Sequence, residues 1–146
     1  MSVVPLGSHG PSRRRSLLDM LLDEAVELAE AVRDYISERI PQDVNAVNAV
    51  DRLRESAEIS RITSRVSFSV AWLLSRRAVL AGEISHEESL DDAYRLGGTG
   101  ICDVEGDLPS TAPSRFLGLS QRSHSLYTRI ARLDRDLDGR AGPLPG

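Results

Sequence analysis

The sequence predicts an all-α protein, a three-helix bundle with a long central helix, on three observations. Apolar residues recur at three- and four-residue steps in three separated segments. No segment shows sustained two-residue alternation with β-branched enrichment. Neither proline nor glycine interrupts the chain between Pro41 and Gly82, which leaves room for one long helix. At 146 residues the chain suits a single domain with one core.

Residues 1–15 carry Pro5, Gly7, Gly10, Pro11 and the arginines Arg13, Arg14 and Arg15, and read as a disordered tail. The bundle domain is expected over 16–138. Its first helix should run from Ser16 to Arg39, where Leu18, Leu21, Leu22, Ala25, Leu28, Ala29, Val32 and Ile36 share a face. Asp23, Glu27, Glu30, Asp34 and Glu38 fall largely opposite, and Pro41 disfavours helix at Ile40.

Asp43 is the expected N-cap of the second helix and Gly82 its stop, at a length approaching roughly 60 Å at 1.5 Å per residue. This helix shows two strips. One holds Ile59, Ile62, Val66, Val70, Leu73 and Leu80; the other holds Ser60, Ser64, Ser67, Ala71, Ser75 and Ala78. Small residues in register let helix backbones approach closely, so the second strip, with Trp72 beside it, is the candidate packing interface. A helix too long for a small bundle to cover, with two packing strips, predicts a homodimer.

Ser85-His86-Glu87-Glu88 has the form of a capping box and predicts a short helix to about Leu96. Residues 97–112 read as a flexible acidic loop around Asp103, Glu105 and Asp107. Pro113 opens the last helix, which carries Phe116, Leu119, Ser123, Leu126, Tyr127, Ile130, Leu133 and Leu137 on one face. Residues 139–146 are rich in glycine and proline and read as a second disordered tail.

Charge and composition narrow the function. All 18 basic residues are arginine, so no Schiff-base or P-loop lysine is available. A formal net charge of −4 argues against a nucleic-acid partner. No stretch approaches the ~20 apolar residues of a membrane span, and no signal peptide is evident, so the expected location is cytoplasmic. Cys102 stands alone, which excludes an internal disulfide and a multi-thiolate zinc site. His9, His86 and His124 lack converging partners in sequence, and the serines of the second helix lack a nucleophile elbow. No catalytic, cofactor or metal residues are therefore assigned.

The charge is segregated. The first helix is acidic, residues 59–82 carry only arginine, and residues 83–92 are acidic again. Arg115, Arg122 and Arg129, seven apart on the last helix, form the candidate partner-docking ridge. Ion pairs with the acidic first helix are the simpler account of the same residues.

Two segments resemble the RcdA family, regulators of CtrA degradation. Residues 61–84, RITSRVSFSVAWLLSRRAVLAGEI, are similar to its signature helix, with Thr63, Arg65, Trp72, Leu73, Leu74, Arg77, Ala78 and Val79 matching. Residues 117–134, LGLSQRSHSLYTRIARLD, are similar to its closing segment, with Arg129, Arg132, Leu133 and Asp134 matching. The resemblance implies a dimeric three-helix bundle that serves as a non-enzymatic adaptor for the ClpXP protease. Its implied partners are the unfoldase ClpX, a response-regulator-type protein and cargo transcription factors of the cell cycle. Most of the matching residues are expected to be structural. The tail after Asp138 is short and carries only Arg140 as a charge, a departure from a family whose C-terminal tail is implicated in delivery. Two other readings stay open: a helical scaffold without a proteolytic role, and an arginine-rich helical enzyme for an anionic metabolite.

Overall fold

The computed structural model describes residues 16–39, 49–109, 111–140, 142 and 144. Its long elements are three helices, α1 (Leu17–Arg39), α2 (Ala49–Leu80) and α3 (Ser114–Asp136), and no strand occurs among the described residues. Ser16 starts α1 by accepting the Asp19 N–H at 3.1 Å. The expected cap Asp43 lies outside the described residues. From Ala49 the 32 residues of α2 span roughly 48 Å. Gly82 ends the helix at φ 76°, and the Glu83 N–H reaches back to the Ala78 carbonyl at 2.9 Å. No helix among the described residues is long and apolar enough to cross a membrane.

The short helix expected from Ser85 to Leu96 is not continuous. Ser85 does cap, accepting the Glu88 N–H at 3.0 Å, but the chain then makes two single 3-10 turns, Glu88–Leu90 and Asp92–Tyr94. Asp91 between them is extended, at φ −67° and ψ 148°. A continuous helix would align Glu87 with Asp91 and Glu88 with Asp92 one turn apart, and such like-charge pairs destabilise a helix. Tertiary partners on α2 and α3 claim Ser89 and Arg95 instead.

Ion pairs fix the helix directions. Arg39 on α1 meets Glu55 on α2 at 2.8 Å, so these two helices form an antiparallel hairpin. On α3, Arg115 pairs with Glu38 and Arg129 with Glu24, so α3 is antiparallel to α1. Therefore α2 and α3 are parallel, and the connection between them must travel back along the bundle. It does so in the groove between them: Arg95 lies at Asp134, Gly97 at Tyr127, Cys102 at Arg65, and Gly106 against Glu58.

The apolar core draws Leu18, Leu21, Ala25, Leu28 and Val32 from α1, Ile62, Val66 and Leu73 from α2, and Phe116, Leu119, Leu126 and Ile130 from α3. Tyr35 packs on Phe116 with ring centroids 5.5 Å apart. Two residues beyond α3 join this core, Leu137 and Leu144, although the latter falls in the expected tail. Burying a leucine contributes roughly 1.5–3 kcal/mol.

Candidate functional site

The candidate interface strip lies on the outward face of α2. Ser60, Ser67 and Ala71 are exposed, while Ser64, Ser75 and Ala78 are half-buried. Trp72 is turned the other way and is 2% exposed. Every exposed residue of α2 from Ser56 to Ser75 is uncharged: Ser56, Ala57, Ser60, Thr63, Ser67, Phe68, Ala71 and Leu74. Charged residues make up 27% of the chain, so this bare face stands out as a surface with little desolvation cost. Grooves flank it. One of about 310 Å³ lies between Phe68, Ala71, Ser75 and the turn at Tyr94 and Arg95. Another of about 630 Å³ lies between the start of α1 and Leu74, Ala78 and Leu80.

The arginine ridge is only partly available. Arg115 and Arg129 engage Glu38 and Glu24 of α1, and Arg115 also lies over the Tyr35 ring, 5.5 Å from its centroid. Arg122 is exposed with no ion-pair partner among the described residues, beside a groove of about 360 Å³ lined by Leu28, Gln121 and Ser125. The simpler account, pairing with the acidic first helix, holds for two of the three residues.

The inner face of α2 carries a polar network that sequence reasoning missed. Arg65 and Glu58 are each 1% exposed and lie 3.2 Å apart. Arg65 Nε donates to the Cys102 carbonyl at 2.8 Å and Nη2 to the Val104 carbonyl at 2.7 Å. Its Nη1 donates to Ser123 Oγ at 3.1 Å. Glu58 accepts from Arg61 at 2.5 Å and from Ser120 Oγ at 2.6 Å. Burial pushes the Arg65 pKa down, and the Glu58 carboxylate opposes that shift. Both groups are engaged by the protein's own atoms, so the network clamps the α2–α3 connection.

A second clasp sits farther along the same groove. Asp134 Oδ1 accepts from Trp72 Nε1 at 2.8 Å, from Arg95 Nε at 3.0 Å and from the Leu96 N–H at 3.3 Å. Arg95 also donates to Asp138 at 2.8 Å; its hydrogen bonds to Asp138 and Asp134 raise its own pKa, and in return it lowers that of Asp138. Tyr127 donates to the Gly97 carbonyl at 2.7 Å. The approach is close enough that a Cβ on Gly97 would fall 2.6 Å from the Phe68 ring. Among the described residues no three His, Cys, Asp or Glu side chains converge to hold a metal.

The family model described as Protein of unknown function (DUF1465) matches residues 11–143. The chain belongs to this family. A crystal structure of RcdA from Caulobacter crescentus CB15 is similar to it, with a TM-score of 0.65 and 29% sequence identity over 85% of this chain and 92% of that chain. Together the two matches make the chain RcdA-like, in agreement with the resemblance read from residues 61–84 and 117–134. No curated protein matches it. The residues of the shared pattern divide by role. Arg65, Trp72 and Asp134 make the two clasps and Leu73 lies in the core, while Thr63, Leu74, Arg77 and Arg132 are exposed.

Proposed function

We propose that this protein is a non-enzymatic adaptor that helps deliver cell-cycle regulators to the ClpXP protease through protein–protein contacts. The observation that carries this reading is the match to RcdA over nearly the whole of both chains. The surface supports it, because the protein combines an uncharged helix face with strongly charged neighbouring helices. A face of the first kind suits a permanent contact, and charged helices steer exchangeable ones. The uncharged face of α2 then joins two copies in a cytoplasmic homodimer, while Arg122 and the rims of its groove meet partners such as ClpX, a response-regulator-type protein or cargo.

Reconstituted degradation tests the reading: candidate cargo is incubated with ClpXP, with and without this protein and a response-regulator partner. Faster cargo loss in its presence is expected. Equal rates across several cargoes overturn the adaptor reading and leave a helical scaffold. Ala71→Arg separates the dimer from the fold, since Ala71 is exposed. It is expected to halve the mass measured by light scattering while leaving the helical circular dichroism signal intact.

A further inference from the structure

Arg115, Arg122 and Arg129 stand seven residues apart on α3, and the outer two are paired with α1. Arg115 meets Glu38, and Arg129 meets Glu24. Fourteen residues separate the paired positions on each helix. The antiparallel register therefore places Arg122, midway on α3, opposite Ala31, midway on α1. Ala31 is half-buried and packs against the core. A carboxylate at that position would complete a ladder of three rungs. Instead Arg122 is exposed and has no ion-pair partner among the described residues.

The groove of about 360 Å³ opens at this middle rung. Buried Leu28 lines it together with Glu24, Gln121, Arg122, Ser125 and Arg129, and the long side chains add their aliphatic stems to the apolar surface. The two closed rungs bound an open stretch of roughly 21 Å along the helices.

This setting selects an occupant. Glu24 already matches Arg129, so the lining offers one unmatched positive charge. A guanidinium takes one carboxylate through parallel hydrogen bonds, whereas a phosphate dianion would also face the Glu24 carboxylate. An exposed ion pair adds little affinity by itself, so the apolar lining must supply the rest. Both walls are α-helices with their backbone groups bonded internally, so an extended segment would find no backbone partners there. A helix satisfies its own.

We propose that the groove between α1 and α3 docks an amphipathic helix of a partner protein, with one carboxylate on Arg122 and an apolar residue one turn away over Leu28. The inference deepens the partner contact proposed above, and rests on it for the ligand being a protein.

Ala31→Glu supplies the carboxylate from within the chain. It is expected to raise the melting temperature by about 1–3 °C at low salt, and to give no rise in the Arg122→Gln background. Equal effects in both backgrounds overturn the register on which the inference stands. The binding probe is a soluble alanine-based helical peptide with one Glu and one Leu four residues apart, titrated into the isotopically labelled full chain. Amide shifts are expected at Leu28, Arg122 and Ser125. Replacing the peptide's Glu by Gln should weaken binding about two- to fivefold, and replacing its Leu by Ala about tenfold. Ala31→Glu and Arg122→Gln should each weaken the original peptide at least as much as the Gln replacement does. Absence of shifts at these residues at millimolar peptide, or equal binding of the Glu and Gln peptides, overturns the docking site. Tighter binding of a phosphoserine peptide than of the Glu peptide overturns the choice of a carboxylate. Degradation rates test the adaptor reading separately, so an adaptor without this groove and a groove without adaptor activity give different results.

Discussion

Arginine and carboxylate groups hold helix α3 on both sides, but in different ways and in opposite surroundings. Toward α1 the pairs are Arg115–Glu38 and Arg129–Glu24, with all four side chains 41–59% exposed. Toward α2 the pair lies within α2 itself: Arg65 and Glu58, both side chains 1% exposed, reach α3 through the Ser120 and Ser123 hydroxyls and the Ser120 carbonyl. Water competes for the first set and is excluded from the second. Exposed pairs contribute little because salt and side-chain entropy offset them. A buried pair need not stabilise more than apolar residues in its place, yet breaking half of it leaves a charge stranded. One seam is therefore tolerant and the other unforgiving, although both use arginine and carboxylate groups.

The largest expected effect is at Glu58. Glu58→Ala strands the Arg65 guanidinium and should cost about 3–5 kcal/mol in urea denaturation. Replacing the pair together, with Glu58→Leu and Arg65→Met, should cost less than the single change. A single-variant loss within measurement error would break the contrast between the seams. Asp134→Ala removes the acceptor shared by Trp72, Arg95 and Leu96 and should cost about 1.5–3 kcal/mol. Trp72 emission should change with it, reporting the same clasp by a second route.

Gly106→Ala probes how closely the connection is pressed onto α2. Its Cβ would collide with the Glu58 carboxylate and lie 2.7 Å from Arg61 Nη1. A loss of about 1–3 kcal/mol is expected from the overlap, and full stability would show that the segment yields freely. Arg129→Ala, on the tolerant seam, should change stability by at most about 1 kcal/mol, an effect that fades as salt rises. The smallest effect concerns acid. Arg95 depresses the Asp138 pKa, so this exposed contact is fully present above the ordinary carboxylate value and is lost as pH falls through the depressed one. Nuclear magnetic resonance titration should place the Asp138 midpoint below about 3.9, and Arg95→Gln should return it there.

The tolerant seam was legible in the sequence, and the unforgiving one largely was not. Leu18, Leu21, Ala25 and Leu28 announce α1 by their period, and the acidic character of that helix foretells the pairs with Arg115 and Arg129. The small strip of α2 was also readable, since the spacing of Ser60, Ser67 and Ala71 puts them on one face. Periodicity counts only apolar residues, so Glu58 drew no notice, and Arg65 entered only through the family resemblance. Their true partners include the carbonyls of Cys102 and Val104, and every residue has a carbonyl, so no side-chain pattern marks those two. The short helix after Ser85 failed for a related reason. A capping signal specifies a start, whereas continuation depended on Ser89 and Arg95, which α2 and α3 claim.

The parallel placement of α2 and α3 also orders the events of folding. Arg39 and Glu55 are 16 residues apart, so the α1–α2 hairpin closes early. Arg65 must wait for Cys102, 37 residues on, and for Ser123, 58 residues on. Longer loops close at greater entropic cost, so α3 and its connection arrive last. In that interval the face of α2 that will become interior is open to water. Were it wholly apolar, the half-built hairpin would be a sticky surface prone to aggregation. Glu58 and Arg65 instead keep it hydrated until α3 and the connection arrive, so the residues that make the finished seam unforgiving also protect the chain on its way there.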